Sequence, residues 1–253
     1  MFPPAVPMRN RLDKLLFERG LAPSRERAQA LILAGRVLVN QQKVEKPGAS
    51  VDDTALLRVL GEEQRYVSRG GFKLEAALDR WHIDLTARLC ADIGTSTGGF
   101  TDCMLQHGAA GVVAVDTGYG QIAEALRRDP RVSLRERTNA RYLKPGELGP
   151  GISFVSMDVS FISATLVLPP VLAAVRDSGE SRVEAVILVK PQFEAGREHV
   201  GKGGIVHDPA AHQLAIDRVR AAVHDLGAAG TEVAESPIQG AKGNREFLLY
   251  SRF

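Results

Sequence analysis

Short apolar runs at 111–116, 132–135, 152–157 and 184–190, with an earlier one ending at Leu89-Cys90, alternate with stretches in which apolar residues return every third or fourth position. Runs of that length, bounded by glycine or charge, predict strands buried on both faces, and the periodic stretches predict helices. Two further strands are expected at 231–236 and 247–251, and an amphipathic helix at 206–226. Alternation over this length predicts an α/β fold, a parallel sheet with helices on both faces.

Residues 9–50 follow a different pattern. Leu12, Leu15 and Leu16 recur at helical spacing up to Gly20, and Ser24 is placed to cap a second helix carrying Ala28, Leu31, Ile32 and Leu33 as far as Gly35. A strand at 37–40 and a turn at Lys46-Pro47-Gly48 complete a small α+β unit. Arg9, Arg11, Arg25, Arg27, Arg36 and Lys43 fall largely off the apolar positions, which predicts one basic face. Gly61 and the charge run after it predict a linker at 61–66, between a domain at 1–60 and one at 67–253. A chain of 253 residues also suits two domains, at roughly 150 residues each.

The stretch 91–101, Ala-Asp-Ile-Gly-Thr-Ser-Thr-Gly-Gly-Phe-Thr, joins a strand to the start of a helix through a glycine turn. Gly94, Gly98 and Gly99 let a ligand approach the main chain, with Ser96, Thr97 and Phe100 beside them. The glycines are spaced G-x-x-x-G-G rather than G-x-G-x-x-G, and Asp92 precedes the first. A carboxylate there repels a pyrophosphate and tolerates an ammonium and a sulfonium, so S-adenosylmethionine fits better than a dinucleotide. Asp116 ends the next strand, about two dozen residues on, where a doubly wound fold places the acid that accepts ribose hydroxyls. Thr138-Asn139 follows the third strand and is expected against the adenine.

Asp158 and Lys190 end the fourth and fifth strands, at the edge where open α/β sheets bind ligands, and Glu246 opens the last strand. Lys73 falls in the first turn of a helix that follows Ser68-Arg69-Gly70-Gly71. The helix dipole disfavours a lysine there, which implies a partner elsewhere. Phe161 and Phe193 follow these residues and are placed either to stack a base or to pack in the core, and 199–207 reads as a mobile glycine-rich loop.

Apolar content of 44% and 25% charged residues describe an ordinary globular protein. The net charge of +2 hides an asymmetry: residues 1–60 hold ten Lys or Arg against six Asp or Glu, so the remainder carries a net −2. Residues 1–8 lack the apolar segment of a signal peptide, and Cys90 and Cys103 form no disulfide framework, both of which point to the cytoplasm. The longest uncharged apolar run, 161–175, is broken by Pro169-Pro170 and is shorter than the ~20 residues of a membrane span. No membrane association and no metal site are expected.

Arg11-Leu12-Asp13-Lys14-Leu15-Leu16, Ser24-Arg25-Glu26-Arg27-Ala28 and the stretch 32–40 resemble the S4 RNA-binding domain. That resemblance implies binding of structured RNA through phosphates and shape. Lys73, Asp158, Lys190 and Glu246 resemble the Lys-Asp-Lys-Glu tetrad of FtsJ-like ribose 2′-O-methyltransferases. With 69–74, 94–102, 157–163, 189–194 and 242–247, the chain from 9 to 253 resembles the TlyA family, whose members are often labelled hemolysins. Thr95 stands where that family often has alanine.

The resemblance implies a Rossmann-like methyltransferase sheet behind an S4 domain, S-adenosylmethionine as cofactor, and cytidine 2′-hydroxyls of ribosomal RNA or ribosomal subunits as substrate. It implies tetrad chemistry at Lys73, Asp158, Lys190 and Glu246, with Asp158 also near the methionine end of the cofactor and Arg69 adding to the RNA surface. Lys190 is then the expected base. An S4-type RNA-binding protein without activity is the alternative.

Overall fold

The computed structural model describes residues 9–60, 65–175, 182–240 and 243–253. Most of the expected linker, 61–64, and Lys242 of the last motif lie outside the described residues. The chain divides into two compact units, Met1–Arg65 and Tyr66–Phe253.

The first unit contains β1 (Arg9–Arg11), α1 (Leu12–Glu18), α2 (Arg25–Leu33), β2 (Val37–Val39), β3 (Gln42–Lys43), β4 (Ser50–Asp52) and β5 (Leu57–Val59). β1 pairs with β4, and β3-β2-β5 form a second antiparallel sheet. Leu12, Leu16, Ala28, Ile32 and Val37 fill its core. The Ser24 hydroxyl caps α2 by accepting from Arg27 N at 3.2 Å. Leu33, expected on the apolar face, is 67% exposed. Ala28, Leu31 and Ile32 already complete the buried stripe, and one further residue turns about 100° away from it.

The basic residues of this unit are partly tied down. Asp13 is fully buried and accepts from Arg11 (3.0 and 2.9 Å), Arg25 (3.2 Å), Gln29 (2.8 Å) and Lys14 N (2.9 Å). The Arg11 guanidinium above all holds the Asp13 carboxyl well below the usual carboxylate range. Arg36 donates to the Leu60 carbonyl at 2.8 Å, and Lys43 pairs with Glu45 at 2.8 Å.

The second unit contains α3 (Gly70–Trp81), β6 (Leu89–Ile93), α4 (Gly99–Gln106), β7 (Gly111–Val115), α5 (Glu124–Arg127), β8 (Val132–Arg135), β9 (Ile152–Met157), α6 (Ala164–Val175), β10 (Glu184–Val189), α7 (Pro191–Glu194), α8 (Pro209–Asp225), β11 (Gly230–Glu235) and β12 (Phe247–Arg252). They build a seven-stranded sheet in the order β11-β12-β10-β9-β6-β7-β8. The sheet is mixed rather than parallel, because β12 runs antiparallel to both β10 and β11. The reason is local: among the described residues no α-helix lies between β11 and β12, and a connection of this length returns the chain in the opposite direction without a crossover.

One core packs α6 and α8 against the sheet, and the other packs α3 and α4 against its opposite face. Tyr66, assigned to the linker from sequence, is 1% exposed in this second core, where it donates to Glu75 at 2.9 Å. The proline pair does not break the apolar run. α6 continues through Pro169 and Pro170, held by the burial of Val167, Leu168, Val171 and Leu172. Burial of that face outweighs the two backbone hydrogen bonds that proline removes. No described helix is long and apolar enough to cross a membrane.

Candidate active site

The central strands β6, β9 and β10 bring their carboxyl ends together, and the side chains that follow them meet above the sheet. Lys190 Nζ lies 2.5 Å from Asp158 Oδ1 and donates to Ser160 Oγ at 2.8 Å. The Lys190–Asp158 contact is an ion pair rather than an aligned hydrogen bond, since buried Oδ1 has no directed donor. Lys73, in the first turn of α3, donates to Glu246 Oε2 at 2.6 Å. The unfavourable helix position of Lys73 is thus matched by a buried carboxylate from the opposite end of the domain.

All four line one cleft of ≈ 530 Å³, with Arg69 at its rim and Ser96, Thr97, Gly99 and Phe100 along the glycine turn. A smaller cavity of ≈ 320 Å³ adjoins it, lined by Asp116, Gln121, Asn139 and Ala140 among others. Gly94, Ser96, Asp158, Ser160 and Phe161 line both, so the two form one continuous surface. Asp116 accepts from Ser96 N at 2.7 Å and Gly118 N at 2.6 Å, while the Asn139 side chain accepts from Arg141 N at 3.0 Å.

Gly94 adopts φ +89°, and a Cβ there would sit 2.4 Å from the Asp158 carbonyl oxygen. Any other residue would push the turn away from β9. Two expected ligands lie behind the turn instead. Gly98 faces Leu126 and Ile122, where a Cβ would sit 2.3 Å from Leu126, and lines neither cavity. Asp92 also lines neither: it is fully buried, accepting from Thr101 Oγ1 at 2.6 Å and Ser156 Oγ at 3.3 Å. Burial raises the Asp92 carboxyl to about 7; Thr101 opposes that rise, Asp158 adds to it and Ser156 opposes it. Asp92 therefore braces the turn from below.

Of the two roles expected for Phe161, core packing does not hold. It is 93% exposed, at φ +63°, with its ring 5.4 Å from that of half-buried Phe193. It is no core residue, and a bulky side chain in the left-handed region is a backbone outlier. The glycine-rich loop is pinned. Asn244, 3% exposed, accepts from Val206 N at 3.0 Å and donates to the Gly204 carbonyl at 2.8 Å, and Gly203 and Gly204 line the large cleft. Ser160 and Asn244 stood in the motifs without an assigned role; an asparagine between glycine and the strand that carries Glu246 is the only local signal either left.

The family model for FtsJ-like methyltransferases matches residues 66–253, and that for the S4 domain matches 10–55. The chain belongs to the FtsJ-like methyltransferase family. It is 46% identical, over 96% of this chain and 90% of the relative, to the 16S/23S rRNA (cytidine-2′-O)-methyltransferase TlyA of Mycobacterium tuberculosis. It is 40% identical to Hemolysin A of Brachyspira hyodysenteriae over 95% of this chain and 98% of the relative. A solved structure described as "Putative hemolysin from Streptococcus thermophilus" superposes with a TM-score of 0.71 at 44% identity, covering 98% of this chain and 89% of that one. Among the described residues no cluster of His, Cys, Asp and Glu has the form of a metal site.

Proposed function

We propose that this protein transfers a methyl group from S-adenosylmethionine to the 2′-hydroxyl of a cytidine in ribosomal RNA. The observation that carries the reading is the convergence of Lys73, Asp158, Lys190 and Glu246 in one cleft as two opposite-charge pairs. The names of the TlyA relatives support cytidine ribose as the target.

The residues present suit the cofactor. Gly94 brings the main chain close to the cavity, and the two oxygens of Asp116, each taking one backbone donor, keep lone pairs for ribose hydroxyls. Asp116 and Asn139 would hold the adenosine end, and Asp158 would face the methionine end. When bound, the cofactor supplies an electrophilic methyl on a sulfonium.

A ribose hydroxyl is a poor nucleophile and must lose its proton as it attacks. Lys190 is the group placed to accept that proton, entering the step as the neutral amine after its ammonium proton has passed to solvent, with Asp158 and Ser160 fixing its position. Glu246 holds Lys73 so that its charge balances the site and orients the incoming ribose. The S4 unit grips structured RNA through phosphates and shape, and within the second unit Arg69 lends the cleft a positive charge for the RNA backbone.

The test is transfer of labelled methyl to ribosomal subunits from a strain lacking the activity, with Lys190→Ala alongside. Label at a ribose 2′-oxygen with the intact protein alone supports the reading. Full methylation by Lys190→Ala would remove Lys190 as the base. Absence of label on subunits and free rRNA, despite measurable cofactor binding, would favour a protein that binds RNA without modifying it.

A further inference from the structure

The loop 158–163 carries Asp158, Ser160 and Phe161 between β9 and α6, and it is strained at Phe161 (φ +63°). A left-handed phenylalanine persists only where its surroundings over-determine the backbone. Phe161 cannot supply that restraint, being 93% exposed with only the Phe193 ring beside it. The restraint comes instead from its neighbours: Val159 and Ile162 pack against the core, and side-chain contacts hold the two ends of the loop. At one end Lys190 holds Asp158 and Ser160. At the other stands Glu194, 5% exposed, which the chemistry of methyl transfer leaves unused.

The Glu194 carboxylate accepts from Ser163 Oγ at 2.5 Å and from Ala164 N, the first amide of α6, at 2.6 Å. It thus caps α6 from a different element, where the helix dipole favours a negative charge. Arg218 of α8 donates to the Glu194 carbonyl at 2.6 Å and fixes α7 from behind. Burial pushes the Glu194 carboxyl up, against the hydrogen bonds from Ser163 and Ala164. Lys190 and Glu194 lie on one short segment, Lys190 to Glu194, so this segment grips the strained loop at both ends.

We propose that Glu194 is a positioning residue, a clamp that sets the 158–163 loop against Lys190 and so places Asp158, Ser160 and Phe161 for methyl transfer. The proposal rests on the methyltransferase reading and adds to it a residue that touches no reactant. Its consequence is geometric. Releasing Ser163 and Ala164 lets the loop relax at Phe161, moving the partners of Lys190 without removing any group from the cleft.

The experiment measures methyl transfer to ribosomal subunits, per cofactor-binding site counted by titration with S-adenosylmethionine, for wild type, Glu194→Gln, Glu194→Asp and Glu194→Ala. A misplacement near 1 Å costs about a hundredfold in rate, so Glu194→Ala is expected to lower kcat by about ten- to a hundredfold, with cofactor Kd and RNA KM within about threefold of wild type. Glu194→Gln keeps an acceptor for Ala164 N and is expected within about threefold of wild-type kcat. Glu194→Asp keeps the charge on an arm one methylene shorter, and reads the same loss should the alanine variant not fold. Unchanged kcat in Glu194→Asp and Glu194→Ala, or losses confined to KM, would overturn the clamp while leaving the methyltransferase reading intact. No transfer by wild type would overturn both.

Discussion

Lys73 and Glu246 stand 173 positions apart in the chain and meet at 2.6 Å, with 11% and 3% of their side chains exposed. The pair ties α3, the first helix of the domain, to the start of β12, its last strand. Removing one partner leaves the other buried and uncompensated, which costs roughly 3–5 kcal/mol, whereas replacing both by apolar groups costs far less. Lys73→Met and Glu246→Leu should each lower the urea midpoint markedly, and the double variant should recover most of that loss. Strictly additive losses would show that the two side chains do not stabilise one another. Methylation should be absent from all three.

Gly94 tests the glycine turn. A Cβ there meets the Asp158 carbonyl at 2.4 Å, in a backbone conformation of φ +89°, and the left-handed geometry alone costs a non-glycine residue about 1–2 kcal/mol. Gly94→Ala should weaken S-adenosylmethionine binding by about tenfold or more in calorimetric titration. Gly149→Ala is the control: it also carries positive φ (+94°) and lines neither cavity, yet a Cβ there meets nothing within 4 Å. Equal effects of the two substitutions would point to backbone strain rather than to the contact with Asp158.

Asp92 gives the fold a pH dependence of unusual sign for a carboxylate. Its carboxyl sits at about 7 in the folded protein against 3.8 for a free one, burial being the main cause. The folded state therefore holds this proton more tightly than the unfolded state does. Its contribution to stability is present at low pH, declines as pH rises from about 4 to about 7, and is gone above that. Thermal unfolding of Asp92→Asn, which keeps an acceptor for Thr101, should show a flatter fall in Tm between about pH 4 and about pH 7 than wild type. Parallel curves would show that another group sets the slope.

Much of the site was legible because its residues break local rules. A lysine in the first turn of α3 opposes the helix dipole, which implied a partner elsewhere, and resemblance to the FtsJ-like tetrad named the four residues; which lysine meets which carboxylate came only from the structure. What stayed hidden follows no local rule. Asp92 looked like a ligand because sequence shows that it precedes the glycines but not that it points down toward Thr101 and Ser156. The direction of β12 stayed hidden as well, because the alternation of strand and helix elsewhere suggested a parallel sheet. Continuity of α6 through two prolines depends on burial supplied by α8 and the sheet, which no window of sequence contains.

Phe161 separates substrate handling from folding. Its ring is 93% exposed at the junction of both cavities, so its removal deletes little buried area, and glycine at φ +63° relieves the left-handed strain. Relief of strain is offset by the greater entropy of an unfolded glycine, so Phe161→Gly should leave folding stability within about 1 kcal/mol. Methylation should respond differently. A base stacked on an aromatic ring gains about 1–3 kcal/mol, so losing the ring should lower kcat/KM for RNA by roughly five- to 150-fold. Phe161→Tyr, which keeps the ring, should retain most of the rate. Loss in the glycine variant with retention in tyrosine, at unchanged S-adenosylmethionine affinity, places the ring against the target nucleotide. Equal rates in all three would mean that the exposed ring contributes nothing to RNA handling.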